Sequence, residues 1–348
     1  MNEREQLILE CLIGEYIKNG KPVGSQELLK RCETLLKCSS ATIRTHLNSL
    51  AQKGYLTQQH ISSGRVPTNQ AYRFYVDEVV KITDMIDCDY QDEYVNVDWT
   101  ESNLHILLDQ LQQSLLSFLD YTVIVITPSI MNERIKDIQF IQTGVDHILV
   151  IITGVLGMKE KMLIDTHHSL TQEDLTHLSR QMTMMYQNKS LLSLLNKTQR
   201  AHLINQPASI KKVVSALALK IKRYIESTQS QNTIRVKGKS NMLKMPDFSN
   251  VSYVRQVIDY LEGTDVFKVL NIALKNNRCE VVIGEESGVR VLDKCSMVMS
   301  PFYYKSTAIG SVNILGPTRM NYLMVVPFLN KMSQRVTDYA SQSGQHLF

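Results

Sequence analysis

Apolar residues recur at three- and four-residue spacing from the start of the chain, at Leu7, Ile8, Cys11, Leu12, Tyr16 and Ile17. That spacing predicts a helix with one apolar stripe, stopped by Asn19-Gly20 and Pro22. A short second helix follows, with Ser25 as its cap, Glu27 in the first turn, and Leu28 and Leu29 packing it. A third helix is predicted to start at Ser39 and to run through Ile43, Leu47 and Leu50 to Gly54, where glycine accepts a left-handed backbone most easily. Tyr55-Leu56-Thr57-Gln58-Gln59-His60 then opens a hairpin that turns at Ser62-Ser63-Gly64 and returns through Arg65-Val66-Pro67. Thr68 caps a further helix carrying Tyr72, Tyr75 and Val79. Three helices followed by a β-hairpin, in this order, predict a winged helix-turn-helix.

Farther along, β-branched runs alternate with turns, at 121–127, 138–142 and 148–152 and again at 280–284, 295–299 and 309–314. These predict one antiparallel sheet whose two groups of strands are separated by a helix-rich segment. Leu329, Met332, Val336 and Tyr339 predict a closing helix that packs on the sheet.

Charge sharpens the reading of the first domain. The net charge of +4 says little, but from 34 to 76 there is no Asp or Glu, against Lys37, Arg44, Lys53, Arg65 and Arg73. If Ile43, Leu47 and Leu50 face the core, the third helix must present Arg44, Thr45, Asn48 and Gln52, with Thr42 and His46 at the edges and Ser40 near the start. Arg pairs with guanine edges, and Asn or Gln with adenine. Ser63 and Arg65 in the wing, and Arg73 beyond it, are the candidate phosphate or minor-groove contacts. The other reading of this helix is a plain solvated polar face, although such faces usually mix both signs of charge. After Val76 the sign reverses, with nine acids up to Glu101 against Lys81 alone, which places a domain boundary there.

Other function classes find little support. The six cysteines form no C-x-x-C pair and read as reduced thiols, so no metal or cofactor is expected. His167-His168 reads as exposed, not as a metal pair, and no nucleophile, base or phosphate loop is grouped locally, so the chain is not expected to be an enzyme. The polar start and the lack of a long apolar run predict a cytoplasmic protein with no membrane partner. A second basic stretch, where Glu226 is the lone acid between Asp174 and Asp247, reads as the solvated face of an amphipathic helix or as a supporting DNA or partner contact.

Three groups of motifs resemble the heat-inducible transcription repressors of the HrcA family. The first is Tyr16-Ile17 through Pro22-Val23-Gly24-Ser25. The second is Ser39-Ser40-Ala41-Thr42-Ile43-Arg44, with Gly64-Arg65-Val66-Pro67-Thr68 and Tyr72-Arg73-Phe74-Tyr75-Val76-Asp77. The third is Ile283-Gly284-Glu285-Glu286 with Leu315-Gly316-Pro317-Thr318-Arg319-Met320-Asn321-Tyr322. Departures fall on the reading helix, where Thr45-His46 stand in place of the family's Asn-Asp. The resemblance implies an α/β multi-domain protein in which a GAF-like α/β domain is interrupted by an inserted dimerisation domain. The expected division is a DNA-binding domain over 1–80, an acidic linker over 81–102, GAF-like parts over 103–165 and 234–348, and the helix-rich insert over 166–233. It also implies a homodimer on an inverted-repeat operator in double-stranded DNA, repression of chaperone genes that is lost on heat shock, and the chaperonin as a partner. The rival expectation is a metabolic repressor with a small effector in the GAF-like domain.

Overall fold

The structure, a computed structural model, describes residues 1–32, 38–58, 64–85, 95–101, 103–127, 134–166, 170–196, 207–227, 233–263 and 265–343. Helix α1 (Glu3–Asn19) begins with a reciprocal cap, in which the Asn2 side chain accepts from the Glu5 amide and Glu5 accepts from that of Asn2. It ends at Gly20, left-handed at φ 63°. Its fully buried apolar residues are Ile8, Leu9, Leu12 and Ile13, so the stripe is rotated slightly from the one expected; Leu7, Cys11, Tyr16 and Ile17 pack at its margin.

Helix α2 (Ser25–Arg31) is capped by Gly24 without a side-chain bond, which corrects Ser25 from cap to first helical residue. Ser39 does cap α3 (Ser40–Gln52), accepting from the Thr42 amide at 3.2 Å. Strands β1 (Leu56–Thr57) and β2 (Val66–Pro67) pair antiparallel, and α4 (Asn69–Met85) follows, with Thr68 Oγ1 accepting from the Ala71 amide.

Helix α4 does not stop at a domain edge. One side packs on α1 and the other on the C-terminal helix, so the boundary expected at 80 falls inside a helix shared by two units. The acidic stretch after it is no free tether where it is described: Val95 is buried, and the amides of Asn96 and Asp98 donate to Ser114 and Gln110 of α5 (Leu104–Leu119).

Strand β3 (Thr122–Thr127) is buried along its whole length because it sits inside a five-stranded sheet covered on both faces. One face, including Val123, Val125, Val312 and Ile314, joins α5 and the C-terminal helix in a single apolar cluster that continues into the first three helices. The opposite face, with Ile124, Ile126, Met297 and Met299, is covered by a helix pair at 251–276.

The expectation of one sheet is corrected here. Strands β4 (Ile135–Gln142), β5 (His147–Gly154) and β6 (Lys159–Asp165) form their own three-stranded antiparallel sheet. They share a separate core with α6 (Gln172–Tyr186) and α7 (Ala208–Ser227). Chain reaches this unit from β3 and returns to β7 (Thr233–Lys237), which pairs with β3 from Thr127↔Thr233 onward. Between β3 and β7 the described residues thus form a unit built of sheet as well as helix, with β4, β5 and β6 lying before residue 166.

The sheet is completed by β8 (Glu280–Ile283), β9 (Cys295–Tyr304) and β10 (Thr307–Pro317), in the order β7-β3-β10-β9-β8. The helix pair at 251–276 comprises α8 (Val251–Glu262) and α9 (Val266–Asn276), and α10 (Tyr322–Ser343) closes the chain. Among the described residues no helix is long and apolar enough to cross a membrane, and no cluster of metal-ligating side chains occurs.

Candidate nucleic-acid interface

Helix α3 divides sharply. Ile43, Leu47 and Leu50 are buried, whereas Arg44, Thr45, Asn48 and Gln52 are exposed on the other side and Ser40, Thr42 and His46 lie between. The Arg44 guanidinium has no partner among the described residues, so nothing must be broken before it meets a ligand. Thr45 is less available, because its hydroxyl donates to Ala41 O at 3.2 Å. Ser40 Oγ donates to Ser25 Oγ, which fixes the first turn of α3 against α2. Thr42 shares a 2.9 Å hydrogen bond with Ser39.

The position of α3 is set from beneath by Glu5. Its carboxylate accepts from Lys53 at 2.7 and 2.9 Å and from Ser49 Oγ at 2.7 Å. Those bonds, Lys53 first, hold the Glu5 pKa down at about 2. Lys53, one of the basic residues of the acid-free stretch, is thus engaged by a buried carboxylate although its own side chain is 43% exposed.

Arg65 is brought alongside α3 by the return strand. Its backbone exchanges hydrogen bonds with Val23, at 3.0 and 2.9 Å. Its guanidinium donates to Asn48 Oδ1 at 2.6 Å and to Gln58 Oε1. A Cβ on Gly64 would stand 2.6 Å from backbone carbons of Pro22 and Val23, so this close crossing requires glycine. Ser63 lies outside the described residues.

Arg73 is not part of this group. It forms a paired contact with Glu286, with Nε at 2.7 Å from Oε1, and donates to Val281 O at 2.6 Å. The expected phosphate contact is replaced by an internal one, because α4 lies against β8. The structure thus gathers Arg44, Asn48, Gln52 and Arg65 on one surface with Thr42 and Thr45 beside them. Sequence reasoning missed Gln58 and Glu5. Only the reciprocal cap Asn2-x-x-Glu5 signalled the latter, and it gave no hint of Lys53.

Residues 105–326 match the family model described as the HrcA protein C terminal domain. The chain belongs to the HrcA family. The heat-inducible transcription repressor HrcA of Desulforamulus reducens is 28% identical over 345 residues, covering 97% of this chain and 96% of that protein. HrcA of Moorella thermoacetica is 28% identical over 352 residues, covering 100% and 99%. HrcA of Chromobacterium violaceum is 29% identical over 347 residues, covering 98% and 99%. A crystal structure of a hypothetical protein shares the fold of this HrcA chain with a TM-score of 0.72 at 22% identity, over 99% of both chains.

Proposed function

We propose that this chain is a transcription repressor whose first 80 or so residues form a winged helix-turn-helix, with α3 in the major groove and the β1–β2 hairpin as the wing. The observation that carries the reading is the face of α3: Arg44, Asn48 and Gln52 are exposed, flanked by Arg65, in a stretch from 34 to 76 that has no acid. Arg and the amides are the side chains that pair with base edges, and a surface without carboxylates repels no phosphate.

The two-sided five-stranded sheet supports a GAF-like reading of the body, and the separate core built on β4, β5, β6, α6 and α7 supports an inserted dimerisation unit. A two-fold dimer matches DNA half-sites only when they form an inverted repeat. Membership in the HrcA family is the ground on which we read the target class as heat-shock chaperone genes and the modulating partner as the chaperonin.

The test is a footprint of the upstream region of this organism's own chaperone operon with the full-length chain, with and without chaperonin and nucleotide. Two-fold symmetric protection that Arg44→Ala weakens is expected. Absence of protection in both conditions overturns the repressor reading.

A further inference from the structure

We infer that Arg73 and Arg319 are positioning residues that hold the DNA-binding head at one fixed angle on the body, and so set the half-site spacing the dimer accepts. The inference rests on the proposed DNA-binding function and extends it to a part of the chain that touches no base.

Two clasps join head to body. In the first, Arg73 of α4 grips Glu286 through Nε and Nη2 and also donates to Val281 O, while Glu286 is braced by the Ile283 amide at 2.9 Å. The neighbouring Gly284 is left-handed at φ +53°. A Cβ there would stand 2.5 Å from the Asn69 amide nitrogen and 2.8 Å from Asp293 O, so glycine lets α4 approach this turn closely.

In the second clasp, Arg319 donates to Asp247 at 2.7 Å and to Ile17 O at 3.0 Å. Ile17 is in the last turn of α1, where carbonyls lack helical partners and a cation is favoured. Gly20 lets the guanidinium pass, since a Cβ there would be 3.1 Å from Arg319 Cζ. Between the clasps, the rings of Tyr72 and Tyr322 meet at 6.2 Å.

The Arg319–Asp247 pair is largely shielded, with side-chain exposures of 17% and 24%, and the Arg73–Glu286 pair is partly so, at 32% and 36%. The apolar cluster beneath runs without a break from Ile8 to Ala340. Parts of all three motif groups, Tyr16 to Gly20, Tyr72-Arg73, and Gly284 to Glu286 with Arg319 and Tyr322, thus meet at this joint. A rigid joint makes the second head's binding effectively intramolecular at one spacing and penalises others.

The test compares wild type with Glu286→Ala and Arg319→Ala, all full length and checked for folding by thermal unfolding. Probes are the footprinted inverted repeat, the same repeat with 5 bp added between half-sites, which turns one site to the opposite side of the helix, and a single half-site duplex. Wild type should prefer the native spacing strongly. The variants should lose about tenfold on it and fall to within about threefold between spacings, with half-site affinity unchanged. Unchanged discrimination, or an equal loss on the half-site, overturns the inference. So does tighter binding to the native repeat, which would make the clasps inhibitory. Wild type that binds no duplex defeats the DNA-binding reading instead.

A second readout is free of DNA. Spin labels carried by unnatural amino acids at exposed positions 26 and 268 should give a narrow distance distribution in wild type and a broad one in Glu286→Ala. Equal widths overturn the joint even if DNA binding holds.

Discussion

At the scale of single residues, Arg44 and Arg65 do different work and should fail differently. Arg44 is exposed and has no partner among the described residues, so Arg44→Ala should cost about 1–3 kcal/mol of operator binding with base preference relaxed at one position and the melting temperature unchanged. Arg65 is already hydrogen-bonded to Asn48, which keeps it beside the reading helix before DNA arrives. Arg65→Ala should weaken binding to all sequences alike and flatten the salt dependence by about one charge. Binding isotherms at several salt concentrations separate the two; an altered base preference without a change of slope would refute the phosphate role of Arg65. Gly64→Ala should destabilise the head by about 1–3 kcal/mol, because the added methyl meets main chain at Pro22 and Val23 that cannot swing aside. Chemical denaturation would show it.

At the scale of elements, the exposed face of α3 is only as well placed as its underside holds it. Leu47→Ala, at a site 4% exposed, should cost about 2–5 kcal/mol of stability and lower DNA binding through unfolding, whereas Arg44→Ala should weaken binding alone. The Glu5 carboxylate adds a pH dependence of known sign. Its pKa falls from the ordinary 4.5 to about 2 on folding, so its stabilising effect is complete above the ordinary value. That effect drains away as pH drops from about 4.5 toward 2. Melting curves between pH 6 and 3 should show a steeper acid loss in wild type than in Glu5→Gln, and parallel curves would show that the Lys53 bond carries no such linkage.

Much at this scale was legible from pattern. The helix positions, the Ser39 and Thr68 caps, Gly54 in a left-handed turn and the two hairpin strands around Leu56 and Val66 all follow from local chemistry. The grouping of strands did not, although a signal was present. Thr122-Val123-Ile124-Val125-Ile126-Thr127 is a continuous run, as a strand covered on both faces requires, whereas β4 reads Ile135-Lys136-Asp137-Ile138-Gln139-Phe140 with polar residues interleaved, as a one-sided sheet requires. Those patterns distinguish β3 from β4, whereas β5, with Ile148 to Ile152 all apolar, reads like a two-sided strand although alternate residues of it are only partly buried. Arg73 misled for a different reason. A cation in an acid-free stretch looks available for phosphate, and its acid, Glu286, is distant in sequence and brought near only by tertiary packing.

At the scale of the whole molecule, the apolar clusters define what can melt together. Head, one sheet face and α10 share a cluster, and the insert has its own. Calorimetry of the full chain should therefore resolve the insert from the rest, while amides of α3 and β9 lose hydrogen-exchange protection at the same temperature. Loss of α3 protection well below that of β9 would show that the head melts alone. In a chain whose head and body melt as one, heat removes DNA binding without a dedicated sensor.

The shared cluster also orders events on the ribosome. The head is translated first, yet Tyr322, Val325, Leu329 and Val336, which complete the cluster it belongs to, are translated last. At about 5–20 residues per second, roughly 10–50 s separate the emergence of α4 from that of α10. Through that interval the face of α4 that will meet α10, with Tyr72 and Val76, stays uncovered. Strand β3 waits as well, since β7 arrives only after the whole insert has been made. A nascent chain in this interval carries finished helices and unfinished burial. The arrangement that ties the first four helices to the rest of the chain thus also leaves each newly synthesised copy with apolar surface uncovered until its last helix has been made.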